Sequence, residues 1–255
     1  GKRVRRVAIR CHKEAEQYII LEGLGEGENV IEVSKGTEPA FGLVAIAGVH
    51  IPEGAEMLPA GTPKPVIEFV GDSDFAGTAS LAPLGTFSLG LLSHFMDWSD
   101  PDFASPAFVG EAFGVDVHNC AVGGSGLVVP SDVYGPTNKA SPACDHYADR
   151  ISFNWGVPTG SEQYAVGEMP KVDCVVIWIG QNDIIGGKLT GKVPQGIDAY
   201  AKLLSEVRKH RPAPLPIVCL YPDGPVHSTS DTYIVVGAKQ RRAIQDEIKQ
   251  WAEGA

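Results

Sequence analysis

Short apolar segments alternate with amphipathic helical patterns along most of the chain beyond residue 65. Three of these segments are nearly continuous, which is typical of strands buried on both faces of a parallel sheet. They are Val66–Val70, Val172–Ile179 and Leu215–Tyr221. Two other stretches repeat apolar residues every three to four positions, which predicts helices. Their apolar positions are Ile197, Tyr200, Ala201, Leu204 and Val207, and Ile234, Ala238, Ile244, Ile248 and Trp251. Strands that alternate with helices predict βαβ units, so we expect a three-layer α/β/α domain on a parallel sheet.

The pattern from Arg5 to about Leu58 is different. Short β-like runs are separated by glycine and charged residues at roughly ten-residue intervals, which predicts a small antiparallel β domain. These runs are Val7–Cys11, Tyr18–Glu22, Asn29–Val33 and Gly42–Ala47. The proline-rich segment Pro59–Pro65 then interrupts both helix and sheet, so it is interpreted as a linker. We therefore expect a β domain at residues 1–62 and an α/β domain at residues 63–255.

Composition excludes some classes of function. The chain has 255 residues and a net charge of −10, which argues against nucleic acid or an anionic membrane surface as the main partner. No apolar run approaches the roughly 20 residues of a membrane-spanning helix, and no targeting peptide is visible. The five cysteines form no Cys-x-x-Cys pair. Cys174 and Cys219 lie in strand-like runs and are expected to be buried thiols, while the others are compatible with one disulfide.

Ser73 is the first candidate for chemistry, because it follows the Val66–Val70 strand in a Gly-Asp-Ser turn. Open α/β sheets place their chemistry at the carboxyl ends of the strands. A serine hydroxyl becomes a nucleophile when a base takes its proton and donors stabilise the oxyanion. The alternative is that Ser73 only caps a helix. The segment is not a Gly-x-Ser-x-Gly elbow, because Phe75 stands where that motif has glycine.

Two later segments offer oxyanion donors. Gly123 and Gly124 begin a Gly-Gly-Ser-Gly turn, whose backbone N–H groups could approach a ligand closely. Asn182, in Gly-Gln-Asn-Asp, follows the strongest predicted strand, and its amide could also donate to an oxyanion. The alternatives are an ordinary glycine turn and an Asx turn.

The order of these three blocks resembles that of the GDSL/SGNH hydrolase superfamily. Within it the chain is most similar to carbohydrate esterase family two, through the phrases Gly27–Glu38 and Lys64–Ser73. The resemblance implies a jelly-roll-like β domain before an SGNH-type sheet. It also implies that Ser73 is the nucleophile, and that the N–H groups of Ser73 and Gly124 and the Asn182 amide form the oxyanion hole. The implied reaction is deacetylation of a sugar through an acyl-serine, and no cofactor is expected. The histidines show no metal-ligand spacing such as His-x-x-x-His, so we expect no metal. The family favours secretion or an organelle lumen, whereas the residues leave the compartment open.

The chain departs from the family pattern at the base. The family has Asp-x-x-His before its last helix, and no Asp-x-x-His occurs in these 255 residues. We therefore expect that the chain lacks the C-terminal catalytic segment. We also expect the edge of the sheet to be covered, either by that segment or by a protein partner. His227, with Asp223 four residues earlier, is the candidate base within the chain. A second departure is Asp74 next to the serine, where a carboxylate would oppose an oxyanion unless it points away or is paired.

Two other interpretations remain open. The first is a catalytically inactive SGNH-like scaffold or subunit of a larger assembly, which Asp74 and the unidentified base favour. The second is a carbohydrate-binding module, based on the β domain and on aromatic residues at Tyr147, Phe153 and Trp155 within a long loop at residues 128–168. Residues 186–192 also match the spacing of a phosphate loop, but this match is dismissed because Val193 replaces the Ser or Thr that binds magnesium.

Overall fold

A computed structural model of the chain describes residues 7–9, 11–12, 16–38, 44, 46–59, 61–82, 95–127, 147, 171–185 and 193–220. Four strands in this part of the chain form one parallel sheet in the order β2-β1-β3-β4. The strands are β1 Val66–Gly71, β2 Asp116–Asn119, β3 Cys174–Trp178 and β4 Ile217–Leu220. The predicted α/β fold with a parallel sheet is confirmed, and three of its strands are those expected from the apolar runs.

Helices connect the strands, as the alternation of patterns predicts. They are α1 Ser73–Ala76, α2 Phe95–Trp98, α3 Ser105–Phe113, α4 Gln181–Ile185 and α5 Val193–His210, with a 3-10 turn at Pro101–Phe103. Helix α5 buries Tyr200, Leu203, Leu204 and Val207, which share one face at helical spacing. Its last turn carries Arg208, Lys209 and His210, where positive charge is favourable to the helix dipole. The second predicted helix, at residues 234–251, lies outside the described residues.

The sheet separates two apolar cores because successive side chains of a strand point to opposite faces. Val70 packs in the core on the α5 side, together with Val175 and Ile177 of β3. Phe69 packs on the other face with Phe75 of α1. Each such side chain contributes roughly 1.5–3 kcal/mol on burial. Strand β1 is covered on both faces, so its carboxyl end is held rigidly.

A buried polar cluster interrupts the apolar core on the α5 side. Glu68, in the middle of β1, is fully buried and accepts hydrogen bonds from Arg211 at 2.7 Å and from the Tyr147 hydroxyl. His118 Nδ1 lies 3.2 Å from the same Glu68 Oε2, and His118 Nε2 lies 3.5 Å from Cys120 Sγ. Burial by itself would raise the pKa of Glu68, but the contact with His118 and the hydrogen bonds from Arg211 and Tyr147 lower it by more than burial raises it, so the net shift is downward. We call these five residues the Glu68 cluster.

The N-terminal region does not show the predicted antiparallel sheet. The described residues between 7 and 62 contain no strand, so a β domain at residues 1–62 remains a prediction, as does the boundary at residue 63. Within the described part of the chain, Cys11, Cys120, Cys174 and Cys219 are free thiols. Cys174 and Cys219 are half-buried rather than fully buried. None of the described helices is both long and apolar enough to cross a membrane.

Candidate active site

The three predicted site segments meet at one edge of the sheet. Ser73 opens α1 directly after β1, Gly124 follows β2, and Asn182 lies in the first turn of α4 after β3. Strands β2, β1 and β3 are neighbours and run parallel, so their carboxyl ends lie side by side. The fold therefore brings together residues that are far apart in sequence.

Ser73 sits at the start of a very short helix that Asp72 caps. The Asp72 carboxylate accepts the backbone N–H of Asp74 at 3.3 Å, which is an ordinary N-cap contact. Gly71, at the end of β1, approaches β3 closely: a side-chain Cβ at this position would lie 2.7 Å from the carbonyl oxygen of Trp178. Glycine is thus required there for β1 to pair with β3 as the chain turns into Ser73.

The side chain of Asn182 ties the three strand ends together. Its Nδ2 donates to Asp72 Oδ2 at 3.2 Å and to the carbonyl oxygen of Ser125 at 2.8 Å. Asp72 precedes Ser73 and Ser125 follows Gly124, so one amide fixes the spacing between the serine turn and the glycine turn. Both hydrogens of this amide are therefore engaged in the structure.

The glycine turn after β2 has the backbone freedom that an anion-binding loop needs. Gly124 has a φ of 75°, which glycine adopts at little cost. The turn is anchored at its start, where Val122 N–H donates to the carbonyl oxygen of Gly71 at 3.1 Å. Gly123 N–H donates to the carboxylate of Glu38 at 2.6 Å. The turn is thus held by contacts with the end of β1 and with the N-terminal region.

Two buried carboxylates accept backbone hydrogen bonds near the glycine turn. Asp183 is fully buried next to Asn182, and its Oδ2 accepts the N–H of Leu127 at 2.6 Å. Glu38 is 3% exposed and also accepts a hydrogen bond from the Thr78 hydroxyl. Burial raises the pKa of Glu38, against the lowering effect of its hydrogen bonds to Thr78 and Gly123.

A cavity of about 540 Å³ opens beside Ser73, a size within the range of small-ligand sites. It lies between α1 and α3, and most of its lining is apolar or aromatic, with Phe108 and Trp178 among the larger side chains. Asp74 also lines it and is exposed. Shielding by the protein on one side nevertheless raises the pKa of the Asp74 carboxyl. The carboxylate predicted to oppose an oxyanion therefore faces the same cavity as the serine.

One group in the described part of the chain has the residue types of a metal site. Ligand atoms of Glu68, His118 and Cys120 lie within 4.8 Å of one another. However, Glu68 and Cys120 contact opposite nitrogens of the His118 ring, and Arg211 already occupies Glu68 Oε2. This arrangement fits a buried hydrogen-bonded cluster better than ligands that converge on one ion.

Ser73, Gly124 and Asn182 each follow a strand, as their sequence contexts predict, whereas two residues that hold these turns are not indicated by the sequence. Asp72 and Glu38 hold the serine turn and the glycine turn, and neither was recognised as part of the site. Glu38 ends the phrase Gly27–Glu38 that carries the family resemblance, but nothing in that phrase indicates a contact with Gly123. His227 and Asp223, the candidate base and its orienting residue, lie outside the described residues.

No family model matches the chain, and no curated protein matches it. Solved structures do match. A family 2 carbohydrate esterase with a carbohydrate-binding domain, from Corynascus thermopiles (Myceliophthora fergusii), superimposes with a TM-score of 0.58 and 21% identity, covering 78% of this chain and 57% of that one. The chain has the fold of family two carbohydrate esterases. The predicted resemblance is thus confirmed at the level of the fold.

Two further structures give the same result. A carbohydrate esterase whose active site displays divergent catalytic and non-catalytic binding functions matches with a TM-score of 0.57 and 17% identity, over 79% of this chain and 57% of that one. An acetyl xylan esterase from the rumen bacterium Butyrivibrio proteoclasticus matches with a TM-score of 0.53 and 15% identity, over 73% and 54%. The chain spans little more than half the length of these esterase chains.

Proposed function

We propose that this chain is an SGNH-type serine esterase that removes an acyl group, typically acetyl, from a carbohydrate. The observation that carries the proposal is the Asn182 amide, which links the turn of Ser73 to the turn of Gly124 at 3.2 and 2.8 Å. The fold shared with carbohydrate esterases supports the substrate class. The cavity beside Ser73 gives room next to the nucleophile, although Gly124 and Asn182 do not line it.

In the proposed reaction Ser73 Oγ attacks the ester carbonyl carbon and loses its proton to a base. The carbonyl oxygen becomes an oxyanion, which accepts hydrogen bonds from the N–H groups of Ser73 and Gly124 and from the Asn182 amide. Collapse of this intermediate breaks the bond to the sugar oxygen, which takes the proton from the base. Water then repeats the sequence on the acyl-serine, releases the carboxylic acid and restores the hydroxyl.

Asn182 must change one contact to act in this way, because both of its amide hydrogens are engaged. The longer contact, with Asp72, is the one that an incoming oxyanion would replace. Catalytic hydrogen bonds are often formed fully only in the complex. Loss of one oxyanion donor typically lowers kcat by about 10²–10³.

The candidate base within these 255 residues is His227, oriented by Asp223. General-base catalysis contributes about 10²–10⁴ in rate, so His227→Ala should reduce hydrolysis by that factor, and added imidazole should restore part of it. His50→Ala is the matched control, since His50 is exposed in the N-terminal region. Equal rates for the two variants would remove His227 from the mechanism.

The alternative is a catalytically inactive scaffold of the same fold, which has these turns but does not catalyse the reaction. The exposed Asp74 carboxylate beside Ser73 and the engaged Asn182 amide favour it. The two functions differ in the reactivity of one hydroxyl.

The deciding experiment measures Ser73 directly. The chain is treated with a fluorophosphonate probe, and hydrolysis of 4-nitrophenyl acetate and of acetylated xylobiose is followed. An esterase is labelled at Ser73 and loses labelling and turnover in Ser73→Ala. Ser205→Ala, on the exposed side of α5, should behave as the unsubstituted protein. Absence of labelling, with turnover equal in both variants, would show that these 255 residues do not form a working esterase and would favour the scaffold instead.

A further inference from the structure

Glu38 is a buried carboxylate that comes from outside the sheet domain. It is 3% exposed, and its two oxygens have different partners. Oε2 accepts the N–H of Gly123 at 2.6 Å, and Oε1 accepts the hydroxyl of Thr78, just beyond α1. One side chain thus bridges the segment after the serine helix and the turn that carries Gly124.

The contact between Glu38 and Gly123 leaves no space for a side chain at position 123. A Cβ there would lie 2.3 Å from Glu38 Oε2 and 2.8 Å from Oε1. The φ of Gly123 is outside the left-handed region, unlike that of Gly124. A side chain at position 123 would therefore have to displace the Glu38 carboxylate, whereas the backbone conformation itself would accept one.

The segment that delivers Glu38 is itself fixed. Lys35 Nζ donates to the Thr37 hydroxyl at 2.9 Å and to the carbonyl oxygen of Glu38 at 2.7 Å. Its positive charge also offsets the buried negative charge of Glu38. A carboxylate is retained in a buried place when its oxygens are paired, as they are here.

We propose that Glu38 is a positioning residue of the esterase site, which holds the Gly123–Gly124 turn so that the Gly124 N–H faces the oxyanion. The inference rests on the proposed function. Glu38 acts through the backbone of Gly123 and does not take a proton from the substrate. An oxyanion donor is effective only when it is fixed before the reaction, and the Glu38 carboxylate supplies that fixation from the N-terminal region.

The first test needs no activity. The variants Gly123→Ala, Glu38→Ala and the double variant are compared by urea unfolding and by hydrogen exchange of the Gly123 amide. We expect Gly123→Ala to destabilise the protein strongly when Glu38 is present and weakly when it is absent, because the clash disappears. We also expect Glu38→Ala to accelerate exchange at Gly123. Additive stability effects with unchanged exchange would overturn the proposal.

The second test separates positioning from stability. We expect Glu38→Ala to lower the maximal rate of fluorophosphonate labelling at Ser73 by about tenfold, less than complete loss of a donor would. The probe concentration that gives half this rate should not change. Glu38→Gln retains an oxygen acceptor and should recover most of the rate. Glu32→Ala, at an exposed site, is the control.

The outcomes distinguish the two proposals. Coupled unfolding together with normal labelling in Glu38→Ala would show that Glu38 is only structural and would overturn its positioning role. If the unsubstituted chain is never labelled, the proposed esterase function fails and the role of Glu38 in that reaction fails with it. Urea unfolding of the two single variants and the double variant would still decide whether Glu38 fixes the turn.

Discussion

The side-chain nitrogen of Asn182 lies 3.2 Å from the Asp72 carboxylate, although 110 residues separate them in the chain. This contact joins the ends of β1 and β3, and the same nitrogen reaches the turn after β2 through Ser125. Asn182 thus has two roles in the proposed enzyme: it fixes the spacing of the site and supplies an oxyanion donor.

Replacing Asn182 by aspartate should remove both roles. A carboxylate at this position faces the Asp72 carboxylate and the Ser125 carbonyl oxygen, so two attractive contacts become repulsive. We expect the free energy of unfolding to fall by roughly 2 kcal/mol, about 1 kcal/mol for each hydrogen bond. Labelling of Ser73 should fall about 100-fold. Urea unfolding and fluorophosphonate labelling measure the two effects.

Gln181→Glu is the control for this change, since it adds the same charge one residue away and leaves the Asn182 amide in place. If Gln181→Glu and Asn182→Asp lowered labelling equally, charge alone would explain the loss. Asn182 would then not be a donor.

Asp74→Leu should make Ser73 more reactive. The Asp74 carboxylate lines the same cavity as the serine, where negative charge opposes an oxyanion. We expect labelling to increase about fivefold, which corresponds to the ~1 kcal/mol exchanged by two charges a few ångströms apart in water. Asp74→Asn should give most of the same gain. A decrease in both variants would mean that Asp74 contributes to the reaction.

Glu68→Gln should be strongly destabilising, because it leaves the Arg211 guanidinium buried without a countercharge. Removing one partner of a buried pair typically costs about 3–5 kcal/mol, measured by urea unfolding. Glu206→Gln, which removes a surface partner of Lys209, should cost less than about 1 kcal/mol. Similar losses in the two variants would contradict an energetic role for the Glu68 cluster.

The same cluster should give a pH signature. The folded state lowers the pKa of Glu68 below 4.5, so the unfolded chain binds more protons in the acid range. The stabilisation is therefore present above pH 4.5 and is lost as the pH falls through the folded value. In urea unfolding measured at different pH values, Glu68→Gln should lack this part of the loss of stability at acid pH.

Lys35 should make stability depend on pH at the alkaline end. Burial lowers its pKa to about 8, although Glu38 opposes this shift, against 10.5 for a free lysine. Between pH 8 and 10.5 the unfolded chain binds more protons than the folded one, so stability should rise with pH in this window. Unfolding of Lys35→Gln should lack this rise, whereas Lys64→Gln, at an exposed lysine, should retain it. A rise that persists in Lys35→Gln would assign it to another group.

Sequence patterns predicted β1 and β3 well because burial on both faces leaves a direct trace. The prediction of burial on both faces is wrong for β4, where Val218 is 44% and Leu220 41% exposed. Val66–Val70 became β1 with one added residue, and the run at Val172–Ile179 contained β3. The helical spacing between Ile197 and Val207 lies within α5. Periodicity reports which face of an element is buried, and these elements are buried strongly.

The same patterns failed where a contact depends on distant residues. Glu68 lies in an apolar run, and nothing local indicates that Arg211, 143 residues later, neutralises it. Glu38 likewise has no local pattern that points to Gly123, 85 residues away. The β domain predicted for residues 1–62 stays a prediction, since the described residues there contain no strand. A strand-like sequence pattern gives only a preference, because a strand forms when it can pair with other strands.

The contacts that define the site also constrain when it can form during folding. Asn182 closes one loop of 57 residues to Ser125 and another of 110 residues to Asp72, and β1 pairs only with strands that follow later in the chain. Such distant pairings form slowly because the ends of long loops must meet first. Refolding should therefore restore helical circular dichroism before it restores labelling of Ser73. During synthesis on the ribosome, the serine turn cannot make its contacts with Asn182 until α4 has been synthesised.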